Sequence, residues 1–217
     1  MQQVSPTETK ILLDLLAHTR SIPGDVVELG CYKADTSVLF QKYLESVAKS
    51  TSPISNPSQN TQESITISST PLAPKRLWLY DSFAGLPAKT SADNSVAGDQ
   101  FKEGELLVTK KYVITKFKKA GLKLPIIKKA FFKDLDPETD LPHIISFAFL
   151  DGDLYESIKT SLRLVVPKIS PGGIIVVHDY NNPELPGSAR AVDEYLSRHP
   201  KNSPALQVQE TLAILRY

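Results

Sequence analysis

The chain has 217 residues, 25 Lys and Arg against 24 Asp and Glu, and a formal net charge of +1. The balanced charge argues against a dedicated nucleic-acid binder, and a hydrophobic content of 41% argues against disorder of the whole chain. A single cysteine, Cys31, excludes an internal disulfide, and no apolar run approaches the roughly 20 residues that span a bilayer. We therefore expect one globular domain, residues 1–217, in the cytoplasm.

The first predicted element is a helix over residues 6–18. Ser5, Pro6 and Glu8 form the pattern of a capping box with proline at the first helical position, and apolar residues follow at helical spacing. The further predicted strands are 25–30, 76–80, 125–128, 147–150, 174–177 and 211–217. The further predicted helices are 36–48, 106–120, 155–166 and 190–198, and a turn is predicted at 171–173.

The composition changes between residues 50 and 74. Fifteen of these 25 residues are Ser, Thr or Pro, and Glu63 carries the only charge. So few apolar side chains cannot offset the loss of chain entropy on folding. We therefore expect a disordered insertion within the single domain.

Outside this insertion, helices alternate with short, continuous apolar strands. Such strands are typical of parallel sheets that are covered on both faces. The pattern predicts an α/β fold of Rossmann-like architecture, with a mostly parallel sheet and helices on both sides.

Polar residues lie at the carboxyl ends of four of the predicted strands. They are Glu28 with Gly30, Asp81 with Ser82, Asp151 with Asp153, and His178 with Asp179. The carboxyl ends of parallel strands line the ligand crevice of an open sheet, so we expect these residues to meet there. A solvated strand end could explain any one of these pairs, but four pairs favour a binding site.

The turn after the first strand lacks the G-x-G-x-x-G spacing of a dinucleotide site. Instead, Gly30 is followed by Thr36 and Ser37 at a helix start, where hydroxyls and backbone amides can receive the carboxylate of a smaller nucleoside ligand. Asp81, at the end of the next strand, can accept two hydrogen bonds from a ribose diol. This pattern indicates S-adenosylmethionine, bound as in class I methyltransferases.

Segments along most of the chain outside the insertion resemble the macrocin O-methyltransferase family. They are GDVVELGCYK at 24–33, YDSFAGLP at 80–87, LDGDLYES at 150–157, SPGG at 170–173, HDY at 178–180 and RAVDEY at 190–195. The resemblance implies a class I fold and methyl transfer to a sugar hydroxyl of a small natural product. It also implies a divalent metal such as magnesium, and a protein that is often a homo-oligomer.

The resemblance assigns roles to individual residues. Those implied to contact the cofactor are Glu28, Leu29, Gly30, Tyr32, Thr36, Ser37, Asp81, Ser82, Phe131, Phe132 and Asp151. Phe131 and Phe132 match the segment that flanks the adenine, and ordinary aromatic packing is the alternative. The implied metal ligands are Asp151, Asp153 and Asp179, and Asp153 would also receive the proton of the acceptor hydroxyl.

A metal suits this reaction, because an aliphatic hydroxyl does not ionise at neutral pH without help and hard cations prefer carboxylate oxygens. The chain departs from the family at His178, where an acid is usual, and at Ala34 and Asp35, which replace a glycine-rich turn. His178 could ligate a softer ion, act as a catalytic base or make a structural hydrogen bond. We expect Asp35 to face solvent.

Nine lysines lie between residues 110 and 133 with no acid among them. We interpret them as a solvated face, and a surface for an anionic substrate or partner is the alternative. Two other functions stay open: a cofactor-binding protein without transferase activity, and an O-methyltransferase for small phenolic acceptors.

Overall fold

The computed structural model describes residues 4–50, 73–200 and 204–217, so the predicted insertion lies mostly outside the described residues. The strands are β1 (Asp25–Leu29), β2 (Leu77–Asp81), β3 (Ile126–Lys129), β4 (Ile145–Leu150), β5 (Ile169–Val177), β6 (Ala205–Gln209) and β7 (Leu212–Arg216). The helices are α1 (Pro6–His18), α2 (Asp35–Ser50), α3 (Lys110–Lys119), α4 (Pro137–Asp140), α5 (Tyr155–Val165) and α6 (Pro186–Arg198). None of these helices combines the length and apolarity that a bilayer span requires.

The strands form one sheet in the order β3-β2-β1-β4-β5-β7-β6. The first five are parallel, and β7 runs antiparallel to both β5 and β6. The strand order reverses at β1, which lies between β2 and β4. In open α/β sheets a ligand crevice forms beside such a reversal, so the topology predicts where the site should lie.

Apolar side chains alternate between the two faces of the sheet, because successive residues of a strand point to opposite sides. On one face, Val26 of β1 belongs to a buried cluster with residues of α1, α2 and α3. On the other face, Val27 belongs to a cluster with residues of α5 and α6. Helices therefore cover both faces, and the predicted α/β fold with a mostly parallel sheet is confirmed.

A local signal explains the start of α1, whereas a distant residue caps the start of α5. The predicted capping box of α1 is present, with Ser5 and Glu8 each bonding the other's backbone N–H. The start of α5 is different, because Leu154 at its N-cap has no polar side chain. The Oδ1 atom of Asp93 accepts from the Tyr155 N–H at 2.6 Å instead. A residue 62 positions away therefore caps this helix.

Three differences between the predicted and the observed elements have physical reasons. α3 begins at Lys110 rather than 106, because the Thr109 side chain caps it through the Tyr112 N–H. The predicted turn at 171–173 is a bulge inside β5, where pairing with β4 passes from Ile169 directly to Ile174. The sequence pattern does not predict β6, because this edge strand is mostly exposed and lacks an apolar run.

Candidate active site

The polar residues at the carboxyl ends of β1, β2, β4 and β5 lie at one edge of the sheet. Leu29 pairs with both Tyr80 and Leu150, and Leu150 pairs with Val177, so the strands end at the same level. The next residues along the chain are therefore neighbours in space. This arrangement brings the four polar pairs to one edge of the sheet.

The loop between β1 and α2 is held in an uncommon backbone conformation. Tyr32 and Ala34 both have positive φ angles, 40° and 57°. The Oδ2 atom of Asp81 accepts from the N–H groups of Cys31 at 3.1 Å and Tyr32 at 3.0 Å. Asp81 therefore fastens this loop to the end of β2.

Asp81 has less hydrogen-bonding capacity left for a ligand than its predicted role requires. Its Oδ1 atom also accepts from the Phe83 N–H at 2.8 Å, so three of the roughly four acceptor positions of this carboxylate are used. Burial raises the pKa of Asp81, and these backbone N–H groups oppose the rise. Ser82 is also engaged, since its hydroxyl donates to Gly85 O and accepts from the Ala84 N–H.

Glu28 is a buried acid at the other side of the loop. Its side chain is 1% exposed, and burial raises its pKa to about 8. The nearby Ser37 hydroxyl partly opposes this increase in the pKa of Glu28. Nevertheless, neither Glu28 Oε2 nor Ser37 Oγ makes a hydrogen bond to any described residue. These two buried polar atoms mark a place where a ligand group would be stabilised.

Two adjoining cavities occupy the crevice and share Gly30, Tyr32 and Asp151. The larger encloses about 560 Å³, open solvent at its mouth included. Of the predicted cofactor residues, those that line it are Gly30, Tyr32, Asp81, Ser82, Phe131, Phe132 and Asp151. Glu28 and Thr36 line the smaller cavity. Only Leu29 and Ser37 line neither, and both side chains are fully buried.

Asp151, His178 and Asp179 form a cluster whose potential ligand atoms lie within 4.8 Å of one another. His178 Nδ1 is 2.9 Å from Asp151 Oδ1 and 3.0 Å from Asp179 Oδ2. Burial alone would lower the pKa of His178, but the surrounding carboxylates raise it well above its ordinary value. The cluster thus differs from the predicted metal ligands, with His178 in the place of Asp153.

Glu8 is a member of this site that the sequence pattern does not reveal. Its Oε1 atom lies 3.8 Å from His178 Nε2, on the opposite side of the ring from Asp151 and Asp179. The nearby His178 ring is the main cause of a lowered pKa at Glu8. The capping box of α1 is sufficient to explain a glutamate at position 8, so the sequence contains no additional pattern that would indicate a role of Glu8 at the crevice.

Asp153 is buried beside this cluster and lines the larger cavity. Its backbone has a positive φ of 58°, and its carbonyl oxygen accepts from the Ser188 hydroxyl at 3.1 Å. Burial, and then the nearby charges of Asp151 and Asp179, raise the pKa of Asp153 well above its ordinary value. A carboxylate with a raised pKa is a stronger base than an ordinary carboxylate.

Asp35 faces solvent as predicted, with an ion-pair partner from the lysine-rich segment. Its side chain is 59% exposed, and its Oδ1 atom lies 2.5 Å from Lys116 Nζ. The same ammonium group donates to Lys33 O at 2.7 Å. One of the nine lysines therefore ties α3 to the rim of the smaller cavity.

Comparison with protein families gives a match over most of the chain. A family model described as Macrocin-O-methyltransferase (TylF) matches residues 65–216. A curated relative, the 8-demethyl-8-(2,3-dimethoxy-alpha-L-rhamnosyl)-tetracenomycin-C 4'-O-methyltransferase of Streptomyces olivaceus, is 25% identical over 202 residues. This match covers 90% of this chain and 67% of the relative.

Two further curated relatives are similarly distant. The demethyldecarbamoylnovobiocin O-methyltransferase of Streptomyces niveus is 26% identical, covering 82% of this chain and 60% of the relative. The mycinamicin III 3''-O-methyltransferase of Micromonospora griseorubida is 24% identical, covering 82% of this chain and 62% of the relative. The chain thus spans 60% to 67% of the length of these relatives.

Solved structures share the fold. The O-methyltransferase NovP gives a TM-score of 0.75 at 21% identity, covering 99% of this chain and 81% of that one. The calicheamicin methyltransferase CalS11 gives a TM-score of 0.71 at 19% identity with the same coverage. These similarities confirm the predicted class I methyltransferase fold.

Proposed function

Because the chain belongs to the macrocin O-methyltransferase family, we propose that it transfers a methyl group from S-adenosylmethionine to a sugar hydroxyl of a glycosylated small molecule. The names of two relatives support this acceptor class. One is named for the 4' position of a rhamnosyl-tetracenomycin and the other for the 3'' position of mycinamicin III.

The observation that carries the proposal is the buried carboxylate of Glu28. Its Oε2 atom has no hydrogen-bond partner among the described residues, and Glu28 lines the smaller cavity together with Thr36, at the start of α2. An amino-acid group fits this position, because its ammonium would lower the raised pKa of Glu28 and bind the ionised carboxylate, while its own carboxylate receives hydrogen bonds at the helix N-terminus. The methionine end of S-adenosylmethionine carries both charges.

The larger cavity suits the nucleoside end. Phe131 and Phe132 offer aromatic faces for an adenine, and Asp81 retains one acceptor position for a ribose hydroxyl. S-adenosylmethionine, when bound, supplies a methyl group on a positively charged sulfur, which makes the methyl carbon electrophilic. The loop fastened by Asp81 would hold that end of the cofactor in place, which is a positioning contribution to rate.

Asp153 is the proposed base. Its carboxylate takes the proton of the acceptor hydroxyl as the oxygen forms a bond to the methyl carbon and the carbon–sulfur bond breaks, leaving S-adenosylhomocysteine. Burial favours this role, since a carboxylate with a raised pKa is a stronger base.

The donor set of Asp151, His178 and Asp179 fits a divalent cation, because two carboxylates and an imidazole are common metal ligands and their ligand atoms converge. A cation bound there would lower the cost of ionising the acceptor hydroxyl. Those three residues would hold it, while Asp153 stays available for the proton.

Two measurements test the proposal. Calorimetry should detect binding of S-adenosylhomocysteine, and Glu28→Gln should weaken it about 10- to 100-fold, the usual range for losing a charge-assisted hydrogen bond. The matched control is the exposed Glu105→Gln. Mass spectrometry of reactions with rhamnosylated glycosides should then show a methylated product. Absence of S-adenosylhomocysteine binding by folded protein would overturn the proposal.

A further inference from the structure

The contacts of His178 are unusual for a histidine that only makes a structural hydrogen bond. Its Nδ1 atom has two carboxylate oxygens equally near, Asp151 Oδ1 at 2.9 Å and Asp179 Oδ2 at 3.0 Å. A single N–H group can point well at only one of them. Two carboxylates that converge on one ring nitrogen, all three groups at most 15% exposed, require a positive charge among them.

The same spacing agrees with three ligands around one cation. In an octahedral site, ligand atoms about 2.1 Å from the shared ion and at right angles to each other lie about 3.0 Å apart. The two distances from His178 Nδ1 match this edge length. The geometry therefore allows the nitrogen itself to be a ligand, with Asp151 and Asp179 beside it.

Glu8 supplies the second, independent observation. Metal-binding histidines almost always direct the other ring N–H toward a carboxylate or carbonyl, which fixes the ring orientation. Glu8 Oε1 lies 3.8 Å from His178 Nε2. The Ser5 N–H holds Glu8 Oε2 at 2.9 Å, and the Thr211 hydroxyl and N–H hold Oε1. The carboxylate behind the ring is therefore fixed from two sides.

We propose that Asp151, His178 and Asp179 form a site that selects a first-row transition-metal ion over Mg²⁺, with Glu8 as the positioning residue for the imidazole. This proposal rests on the metal-assisted part of the proposed function. Mg²⁺ is usually bound by carboxylate, phosphate and water oxygens, whereas an imidazole nitrogen suits Zn²⁺, Ni²⁺, Co²⁺ and Fe²⁺. His178 thus replaces an oxygen ligand with one that changes the preferred ion.

Metal binding can be measured without any turnover. The full chain, stripped with chelator, is titrated separately with Co²⁺, Zn²⁺ and Mg²⁺, and the dissociation constants are compared. The wild type should bind Co²⁺ and Zn²⁺ at least about tenfold more tightly than Mg²⁺. A Cu²⁺-loaded sample should show nitrogen hyperfine coupling in its electron paramagnetic resonance spectrum, which needs no variant.

Two variants separate the roles of the residues. His178→Asp should remove the nitrogen coupling and the preference for Co²⁺ over Mg²⁺. Glu8→Gln should weaken Co²⁺ binding about 10- to 100-fold, as loss of such an outer carboxylate does, with a smaller effect on Mg²⁺. The exposed His143→Asp, which makes the same exchange at the surface, should change neither value.

Equal affinity of the wild type for Co²⁺ and Mg²⁺, or no divalent-ion binding by a protein that still binds S-adenosylhomocysteine, would overturn the proposal. If no divalent ion binds, a protonated His178 would itself supply the positive charge between Asp151 and Asp179. Failure of the methyltransferase proposal is a separate result, because it would show as absent S-adenosylhomocysteine binding whatever the metal does.

Discussion

Gly30 and Asp151 meet backbone to backbone at the carboxyl edge of the sheet. A Cβ atom on Gly30 would lie 1.9 Å from the Asp151 carbonyl oxygen, and Gly30 also has a φ of +94°. No side chain can occupy that space, and few residues other than glycine adopt that backbone conformation. This contact brings the β1–α2 loop down onto β4, where the two cavities adjoin.

Gly30→Ala should therefore lower the free energy of unfolding by about 2 to 5 kcal/mol, from steric overlap with the Asp151 backbone plus left-handed strain. Urea denaturation measures the change. Gly121→Ala is the matched control, since Gly121 has a φ of +67° and no described atom within 4 Å of its added Cβ. It should cost only about 1 to 2 kcal/mol. Equal losses for the two variants would show that the close contact with Asp151 is not important.

Asp93→Ala tests the remote cap of α5. The buried Asp93 carboxylate bonds the Tyr155 N–H as well as the N–H and hydroxyl of Thr90, so its loss should cost about 2 to 4 kcal/mol. Thermal and urea denaturation measure this. The control is Asp136→Ala, which removes an exposed cap from the four-residue α4 and should cost less than about 1 kcal/mol. A similar small cost at both positions would refute the cap assignment.

Glu28→Gln should change how stability depends on pH. The pKa of Glu28 is 4.5 ordinarily and about 8 in the fold, so the folded chain binds a proton more tightly than the unfolded chain. The resulting stabilisation is fully present below pH 4.5 and is lost as pH rises through about 8. Between pH 5 and 9, the free energy of unfolding of the wild type should fall relative to Glu28→Gln, by several kcal/mol. In the control Glu105→Gln, which changes an exposed residue, the free energy of unfolding should depend on pH as it does in the wild type. The same pH dependence in all three proteins would contradict the burial of a neutral Glu28.

Asp153→Asn should lower kcat about 100- to 10,000-fold, because the variant cannot accept the proton of the acceptor hydroxyl. Asparagine tolerates the left-handed backbone at this position, so the fold should be preserved. Affinity for S-adenosylhomocysteine should change much less than kcat, because the proposed base acts on the acceptor hydroxyl rather than on the cofactor. The exposed Asp134→Asn is the control. A normal kcat would exclude Asp153 as the base.

Lys116→Met should weaken S-adenosylhomocysteine binding about two- to fivefold, because it leaves the charge of Asp35 unpaired near the expected carboxylate of the ligand. The double variant Asp35→Asn with Lys116→Met should recover the lost affinity. Calorimetry at low salt measures both. No recovery in the double variant would indicate that Lys116 acts through its bond to Lys33 O rather than through Asp35.

The fold could be predicted where apolar patterns and local caps agree. The helix at 6–18 and the acids at the strand ends are local features of the sequence. The parallel arrangement of the strands is then sufficient to bring Asp81 and Asp151 to the same edge of the sheet. By contrast, β6 could not be predicted. This edge strand is mostly exposed, so it does not need the apolar run that identifies a buried strand.

The site could be predicted less completely, because its finer contacts join distant segments. The sequence around Asp93 does not indicate that this residue caps α5. The sequence around Glu8 does not indicate that its carboxylate lies beside the His178 ring. Asp81 illustrates a different limit. Its residue type fits a ribose contact, but three of its acceptor positions are used by backbone N–H groups that only the folded loops provide.

The bond between Glu8 and Thr211 joins residues 203 positions apart. During synthesis of the chain, the carboxylate behind His178 cannot be fixed until the turn between β6 and β7 has left the ribosome. Long-range closure of this kind also slows folding, because the loop entropy is lost before the contact forms. Partly synthesised chains therefore lack the contact that fixes Glu8 behind His178, and this contact forms only after Thr211 has left the ribosome.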